Sequence, residues 1–260
     1  LDISRRRSLC DLSPMNNQEF WETQAAQGAR AGSQDLIAKQ LEIEAIARFV
    51  DDGMNVLDVG CGNGVTALEL AQRYSVTVLG LDSSPAMIQA ANDVKRDAPP
   101  LKGRVEFQVG DVRQLPPLSA YDLAYTERTL INLPDWPSQR QAIIDILQCV
   151  RSGCHYVMCE NSQDGLERLN ALRRAVGLPS IVPPWHNRYL REAEVQAAVI
   201  PHGSCETSFA HTSTYYFLSR VVNAALAHDQ GQEPDYNAPV NRLALSLPPL
   251  GDIGQGRIWV

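Results

Sequence analysis

The chain has 260 residues, of which 44% are hydrophobic and 20% are charged, and its formal net charge is −7. This is the composition of a folded globular protein, and an α/β chain of this length often forms one domain. Because nucleic-acid binding depends on many cations that neutralise phosphates, the acidic balance disfavours DNA or RNA as a partner.

The six cysteines show no paired Cys-x-x-Cys spacing, so we expect no metal site and a reduced, cytoplasmic setting. No apolar stretch reaches the roughly twenty residues that span a bilayer, and residues 1–15 lack the apolar core of a signal peptide. We therefore expect no membrane association. Residues 1–15, which contain Arg5, Arg6 and Arg7, are expected to form a flexible tail.

Short β-branched runs alternate with longer helical stretches along the chain, which indicates βαβ units and a mostly parallel sheet. Helices are predicted at 17–28 and 35–50, within an N-terminal region of residues 16–53. In residues 54–160, strands are predicted at 55–59, 76–81, 105–109, 122–125 and 155–160. The helices predicted between these strands are 64–74, 85–95 and 137–150.

Residues 161–255 exceed what a minimal sheet of this kind needs, and we interpret them as a cover over the active site together with the final strands. They predict helices from 163 to 176, at 191–200 and at 214–227. Strands are predicted near 206–211 and at 257–260. The whole chain, 1–260, is expected to form a single domain.

The strongest motif is VLDVGCGNG at residues 56–64, where a buried strand is followed by three alternating glycines and a helix start. Such glycines allow a tight turn and a close approach of the backbone to a ligand. A nicotinamide-dinucleotide fingerprint would have Gly or Ala at the position of Val65, and Asp58 would repel a pyrophosphate while attracting an ammonium or a sulfonium. The motif therefore favours a cationic ligand, and the alternative is a plain glycine turn that Asp58 caps.

Acidic residues also follow the next two predicted strands. Asp82 lies about twenty residues past the glycine turn, where a carboxylate accepts hydrogen bonds from ribose hydroxyls, although it could equally cap the following helix. Asp111 and the N–H of Val112 could read the amine edge and a ring nitrogen of adenine, although a lone Gly-Asp pair is more often a turn. Three acidic strand ends in succession favour a nucleoside ligand.

At these positions the sequence resembles the class I S-adenosylmethionine-dependent methyltransferases. The similar segments are VLDVGCGNG, VLGLDSSPAMI, VEFQVGDVRQLP and YDLAYTERTLINL, which together cover about residues 34–160. The resemblance implies an α/β, Rossmann-like, mostly parallel seven-stranded sheet with helices on both faces and a helical and loop cover. It also implies S-adenosylmethionine as methyl donor, S-adenosylhomocysteine as its product, and no metal.

The resemblance implies a role for each matching residue. The methionine portion of the donor would contact Asp58, Gly60 and Gly62, the ribose Asp82, and the adenine Ser83, Met87, Asp111 and Val112. Thr126 would line the sulfonium, and Trp21 would lie in a helix that covers the donor. Met87 and Trp21 could equally be packing residues.

The methyl acceptor is less well specified, because this fold and its donor motifs serve many nucleophiles. Many relatives that act on small molecules carry a His pair after strand four, where this chain has Ile131 and Asn132. Relatives that methylate amino groups of nucleic acids carry an Asn/Asp-Pro-Pro-aromatic signature, which the residues after Tyr125 do not match. Methylation of nucleic-acid bases is therefore disfavoured.

The segment PPWHNRY at residues 183–189 places His186 and Arg188 between two aromatic residues, Trp185 and Tyr189, in the predicted cover. His186 is the candidate base for a hydroxyl acceptor. The alternative is that the aromatic residues pack the cover onto the core while His186 and Arg188 face water.

The candidate catalytic residues are thus His186, Arg188 and Arg128. Arg128, Arg188 and Arg220 could jointly bind an anionic group on the acceptor, since guanidinium pairs bidentately with such groups. The alternative is that each of these arginines lies at the surface and is solvated by water. Glu160 and Asn161, at the end of strand five, could orient the acceptor, whereas His155 and Cys159 are expected to be buried and structural.

The sequence predicts O-methylation of a small polar metabolite, at a hydroxyl or carboxylate of a sugar or natural-product intermediate. The alternatives are N-methylation of a small amine and binding of the donor without catalysis. A dehydrogenase is disfavoured by Asp58 and Val65. The sequence does not predict an oligomeric state.

Overall fold

A computed structural model describes residues 17–31, 35–115 and 121–260, so the predicted tail at 1–15 lies outside the described residues. Across these ranges seven strands form one sheet: β1 Asn55–Val59, β2 Thr77–Asp82, β3 Arg104–Val109, β4 Tyr121–Glu127, β5 Val150–Asn161, β6 Ser208–Phe209 and β7 Gly256–Trp259. The strand order is β3-β2-β1-β4-β5-β7-β6. Strands β1 to β5 pair in parallel and β7 is antiparallel to both neighbours, which confirms the predicted sheet.

The helices alternate with the parallel strands as predicted. They are α1 Asn17–Gln24, α2 Leu36–Ala47, α3 Val65–Arg73, α4 Pro85–Asp97, α5 Trp136–Cys149, α6 Gln163–Ala175, α7 Glu192–Val199, α8 Ser213–Phe217, α9 Asn223–Asp229 and α10 Pro239–Arg242. No helix in the described ranges is long and apolar enough to cross a membrane.

The core lies on both faces of the sheet, because successive side chains of a strand point to opposite sides. In β1, Val56 packs into a cluster with residues of α2, α3 and α4, such as Leu70. Its neighbour Leu57 packs into a second cluster with residues of α5 and α7, such as Ile143. All four side chains are fully buried, and burial of one such side chain contributes about 1.5–3 kcal/mol.

Several predicted elements differ from the structure at their ends. The helix predicted at 17–28 ends at Gln24 and continues as a 3₁₀ turn, Ala25–Arg30, which Gly28 distorts with a φ of 57°. The strand predicted at 206–211 is only Ser208–Phe209. The helix predicted at 214–227 contains a π-helical stretch, Leu218–Val222, between α8 and α9.

The prediction that His155 is buried was wrong. Its side chain is 38% exposed, and its Nε2 lies 3.3 Å from Glu206. The strand that carries it, β5, begins at the surface and becomes buried only from Tyr156 onwards. Cys159, further along the same strand, is buried as predicted.

Candidate active site

A cavity of about 1260 Å³ opens at the carboxyl ends of β1 to β5. Its walls come from α1, α2, the glycine turn, the loops after the strands and residues 184–189. This edge is where open α/β sheets bind ligands. The cavity brings together twelve predicted site residues: Trp21, Asp58, Gly60, Gly62, Asp82, Ser83, Met87, Asp111, Val112, Arg128, His186 and Arg188.

The glycine turn and the end of β2 are joined by hydrogen bonds. The N–H groups of Gly60 and Cys61 donate to the carbonyl of Leu81 at 2.7 and 2.9 Å. Asp82 accepts from the N–H of Gly62 through Oδ2 and from the N–H of Ser84 through Oδ1, both at 2.9 Å. Burial raises the pKa of Asp82, although these two hydrogen bonds act in the opposite direction and lower it. Asp82 is thus held in a fixed orientation at the cavity wall.

Asp58 lies at the bottom of the turn and is 2% exposed. Its Oδ2 accepts a hydrogen bond of 2.7 Å from the hydroxyl of Tyr125, so its partner is a side chain of β4 rather than an N–H of the turn. Burial raises the pKa of Asp58 to about 8. A buried carboxyl of this kind is suited to a cationic ligand group, which would favour its ionised form.

The predicted adenine side of the cavity is apolar on one wall and polar on the other. Met87 is 2% exposed and packs with Trp21, Ala25 and Ala31. On the opposite wall, the Arg113 side chain bonded to Asp111 lowers the pKa of that carboxyl, and Arg113 Nη2 lies 2.6 Å from Asp111 Oδ2. Asp111 therefore stays ionised while it faces the cavity.

Thr126 requires a correction. Its side chain is fully buried and shares a hydrogen bond of 3.2 Å with the hydroxyl of Tyr156, so it does not line the cavity. Because side chains alternate along a strand, the next residue, Glu127, faces the cavity instead.

Sequence reasoning missed a buried group of charges next to Glu127. Lys39 Nζ lies 2.6 Å from Glu127 Oε1 and 2.7 Å from Thr66 Oγ1, and the Thr66 hydroxyl donates to Glu127 Oε2 at 2.5 Å. Arg128 Nε lies 3.2 Å from Glu42 Oε1. Lys39 and Glu42 lie three residues apart on α2 and thus on one face of the helix, which was the available signal.

The two glutamates of this group have opposite ionisation tendencies. Burial raises the pKa of Glu42 to about 8, although the adjacent Arg128 favours its ionised form. Burial acts in the same direction on Glu127, but the Lys39 ammonium beside it holds its pKa well below the ordinary value. At neutral pH, Glu127 is therefore ionised and Glu42 carries a proton.

The three arginines proposed to bind an anion jointly already have carboxylate partners. Arg128 pairs with Glu42, and Arg188 Nη2 lies 2.9 Å from Glu194 Oε2. Arg220 Nη2 lies 2.9 Å from Asp35 Oδ2. All three arginines nevertheless line the cavity, and Arg220 Nη1 makes no hydrogen bond in the described residues, so a joint anion site of Arg128, Arg188 and Arg220 stays a prediction.

The segment around His186 packs on helix α1. The His186 imidazole stacks on the Phe20 ring with 4.2 Å between ring centroids. The backbone carbonyl of His186 accepts a 3.2 Å hydrogen bond from Asn17 Nδ2. Burial lowers the pKa of His186, so the ring is neutral at physiological pH. Trp185 is 65% exposed, whereas Tyr189 is buried.

Glu160 is a second correction, because it does not face the acceptor. It is 1% exposed, and its Oε1 accepts from the N–H groups of Thr129 and Leu130, both at 3.0 Å. It therefore stabilises the turn after β4. Its neighbour Asn161 does line the cavity.

The raised pKa values predict how stability depends on pH. A carboxyl whose pKa is higher in the folded state than in the unfolded state stabilises most at low pH, and this contribution is lost as the pH rises through the folded-state pKa. Burial raises the pKa to about 8 for Asp58 and Glu42 and to about 7 for Glu160. Burial lowers the pKa of His211 to about 3. This histidine makes stability rise with pH, but only below pH 6.5, the ordinary pKa of the group.

We therefore expect the free energy of unfolding to fall from pH 6.5 to pH 8. The slope should be roughly 1.4 kcal/mol per pH unit for each carboxyl that stays protonated when folded. Urea denaturation across this range measures the slope. Asp58→Asn should make the slope less steep by the contribution of one carboxyl. A slope that is unchanged in this variant would show that Asp58 is ionised in the folded protein.

Residues 56–154 match the family model described as a methyltransferase domain. The chain is 26% identical to an O-methyltransferase of Pyrenophora dematioidea over 67% of this chain and 61% of the relative. It is 32% identical to the ajmaline N-methyltransferase of Rauvolfia serpentina over 50% of this chain and 44% of the relative. The matched part thus spans less than two thirds of each relative's length.

A solved structure with a similar fold is that of the [4+2]-cyclase SpnF. It superimposes with a TM-score of 0.61 and 19% sequence identity, over 94% of this chain and 96% of the other. The similarity concerns the fold. In residues 17–31, 35–115 and 121–260, no group of three or more His, Cys, Asp or Glu side chains is arranged to hold a metal ion.

Proposed function

Because the chain carries a methyltransferase domain at residues 56–154 on the fold of the class I S-adenosylmethionine-dependent methyltransferases, we propose that it methylates a small polar molecule. The methyl donor is S-adenosylmethionine. The proposed acceptor atom is an oxygen, in a hydroxyl or carboxylate of a sugar or natural-product intermediate.

The observation that carries this proposal is the convergence of three acidic strand ends, Asp58, Asp82 and Asp111, on one cavity. The three carboxylates suit the ammonium, the ribose and the adenine amine of the donor, in that order along the sheet edge. The cradle above the glycine turn is open, since a Cβ added at Gly62 would meet no atom within 4 Å. The residues present therefore fit this donor.

The donor supplies a methyl group on a positively charged sulfur, which makes the carbon electrophilic. The protein's own contribution is alignment and exclusion of water rather than covalent catalysis. Trp21, Phe20 and His186 form an aromatic wall on the side of α1. This wall would shield the donor from solvent, and His186 remains a candidate for contact with the acceptor.

Oxygen is favoured over nitrogen as the acceptor atom by the extent of the similarity to known enzymes. An enzyme named as an O-methyltransferase matches 67% of this chain, whereas one named as an N-methyltransferase matches 50%. The similarity to an enzyme named as an N-methyltransferase keeps N-methylation of a small amine as an alternative.

A second candidate function is donor binding without methyl transfer. The fold itself leaves this open, since the protein that superimposes over 94% of this chain is described as a [4+2]-cyclase. In such a protein the cavity would position another reaction, and the donor would not be consumed.

The test begins with calorimetric titration of the protein with S-adenosylmethionine and with S-adenosylhomocysteine. Formation of S-adenosylhomocysteine is then followed by chromatography with catechol, methyl α-glucopyranoside, benzoate and benzylamine as probe acceptors. We expect binding of both ligands and turnover with an oxygen acceptor. Failure to bind either ligand would overturn the proposal, and methylation of benzylamine alone would replace oxygen by nitrogen as the acceptor atom.

A further inference from the structure

Beside the glycine turn, part of the cavity wall is polar and is not explained by the donor motifs. We call it the inner lobe, and it is formed by Lys39, Glu42, Glu127, Arg128 and Tyr216, all of which line the cavity. Two of these residues come from α2, two from the end of β4 and one from α8. The inner lobe is therefore assembled from parts of the chain that lie outside the glycine motif.

The inner lobe adjoins the turn that would hold the methionine portion of the donor. In the parallel pairing of β1 with β4, Val59 is opposite Thr126, so Glu127 lies next to Gly60. The Thr129 hydroxyl also donates to the carbonyl of Gly60 at 3.4 Å. A group bound in the inner lobe would thus lie beside the reacting end of the donor.

Glu42 and Arg128 are the residues of the inner lobe with a buried side-chain atom that makes no hydrogen bond in the described residues, and of the two only Glu42 offers an acceptor. Glu42 is 4% exposed, and its Oε2 has no hydrogen-bond partner in the part of the chain that the structure describes. Buried polar atoms without a partner are uncommon and often mark a catalytic role or a missing ligand. Glu127 has both oxygens occupied by Lys39 and Thr66, and the protonated Glu42 carboxyl is also placed to donate to it.

We propose that Glu42 is the catalytic base and that the reacting group of the acceptor is a hydroxyl, of an alcohol or a phenol. This inference rests on the proposed function. The hydroxyl oxygen forms the new C–O bond, and the carbon–sulfur bond of the donor breaks with its electron pair staying on sulfur. The hydroxyl proton moves to the Glu42 carboxylate and leaves to solvent when the next molecule of S-adenosylmethionine binds.

The predicted base, His186, is less suitably placed for this step. Its ring stacks on Phe20 and lies edge-on to Trp21, at 6.0 Å between centroids. Trp21 belongs to the cluster around Met87, on the adenine side of the cavity. The inner lobe lies instead beside the end of β4, where the methyl group is expected.

Donor binding would convert Glu42 to its reactive form. The charged and titratable groups that face it are Lys39 on its own helix, Glu127 and Arg128 from β4, Cys159 from β5 and Tyr216 from α8. Among these groups burial dominates and raises the pKa of Glu42 to about 8, so the free protein holds it protonated at neutral pH. A sulfonium beside it favours the carboxylate, whereas the neutral sulfur of S-adenosylhomocysteine does not.

The test compares proton release when the protein binds each of the two ligands. Calorimetric titrations at neutral pH in phosphate and in Tris, whose ionisation enthalpies differ, give the number of protons released per ligand. We expect S-adenosylmethionine to release about half a proton or more beyond S-adenosylhomocysteine. This difference should vanish in Glu42→Gln and persist in Glu160→Gln, a matched buried carboxyl outside the cavity.

The wild-type comparison can overturn the inference even if the variants do not fold, and Glu42→Gln assigns the released proton. Equal proton release with both ligands would overturn the role of Glu42 and leave the proposed function standing. If neither ligand binds, the proposed function fails instead. Persistence of the difference in folded Glu42→Gln would assign the proton to another group and also overturn the inference.

Turnover provides a second readout, with catechol and methyl α-glucopyranoside as probe acceptors. We expect Glu42→Gln to lower kcat by about 100-fold, with donor affinity lowered by no more than about tenfold. The wild-type kcat should rise with pH as Glu42 ionises, and this dependence should disappear in the variant. Full turnover in Glu42→Gln, with the loss found in His186→Ala, would identify His186 as the base and contradict the inference.

Discussion

Replacing Asp82 by alanine is expected to weaken donor binding by roughly 100-fold, which corresponds to about 2.7 kcal/mol. Each Asp82 oxygen already accepts one backbone hydrogen bond, from Gly62 or Ser84, and has a lone pair left for a ribose hydroxyl. Alanine removes both acceptors from the cavity wall. Calorimetry with S-adenosylhomocysteine measures the change without any acceptor.

The substitution also removes the partner of two backbone N–H groups, so part of the loss could come from disorder of the glycine turn. Asp82→Asn separates the two effects, because it keeps one acceptor oxygen and the side-chain volume. We expect it to lie between the wild type and alanine. Asp97→Ala, which removes an exposed carboxylate at the end of α4, is the control for net charge. Unchanged affinity in a folded Asp82→Ala protein would refute the ribose assignment.

The sheet and the donor side of the site could be predicted because their determinants are local in sequence. A buried strand followed by glycines and a helix specifies the same turn wherever it occurs, as in residues 56–64. Parallel strands then bring their carboxyl ends to one edge, so Asp58, Asp82 and Asp111 had to meet there. The local sequence pattern and the topology of the parallel sheet were together sufficient to predict the donor side of the site.

The other side of the site depends on contacts between distant parts of the chain. The partner of Arg220 is Asp35, 185 residues away, and the partner of Glu127 is Lys39, 88 residues away. No local pattern predicts such pairs. The sequence therefore did not show that each of the three arginines has a carboxylate partner. The same reason explains why the inner lobe was missed.

Thr126 illustrates a third limit, which is register. The end of β4 was placed correctly to within two residues, but the side-chain period of a strand is two, so an error of one residue exchanges the buried and cavity faces. Thr126 faces Tyr156, and Glu127 faces the cavity. A motif can therefore locate a strand end without deciding which side chain meets the ligand.

Two glycines of the turn, Gly60 and Gly62, are expected to respond differently to alanine. Gly62 has a φ of 52°, and a Cβ added there would meet no atom within 4 Å. Gly62→Ala should therefore cost only the strain of a left-handed conformation, about 1–2 kcal/mol of stability. Its methyl group would project into the open cradle, so we expect donor affinity to fall by more than about tenfold.

At Gly60, with a φ of 78°, a Cβ would lie 2.2 Å from Oγ1 and 2.3 Å from Cγ2 of Thr129. Gly60→Ala should therefore displace the turn after β4 and cost about 2–4 kcal/mol of stability. In Gly60→Ala/Thr129→Gly the clash is gone and the strain remains, so a double-mutant cycle in urea should give a favourable coupling energy of about 1–2 kcal/mol. Thr129→Ala is a weaker rescue, because the Thr129 Cβ alone would lie 2.8 Å away.

The combination of the two glycine results distinguishes a donor site from a structural turn. If the turn only supports the fold, both alanine variants should lose stability and neither should lose donor affinity in the folded fraction. If it holds the donor, Gly62→Ala should lose affinity while remaining folded, because its added methyl group meets the ligand and no protein atom. Normal affinity for S-adenosylhomocysteine in Gly62→Ala would therefore contradict the donor assignment, even if Gly60→Ala behaves as expected.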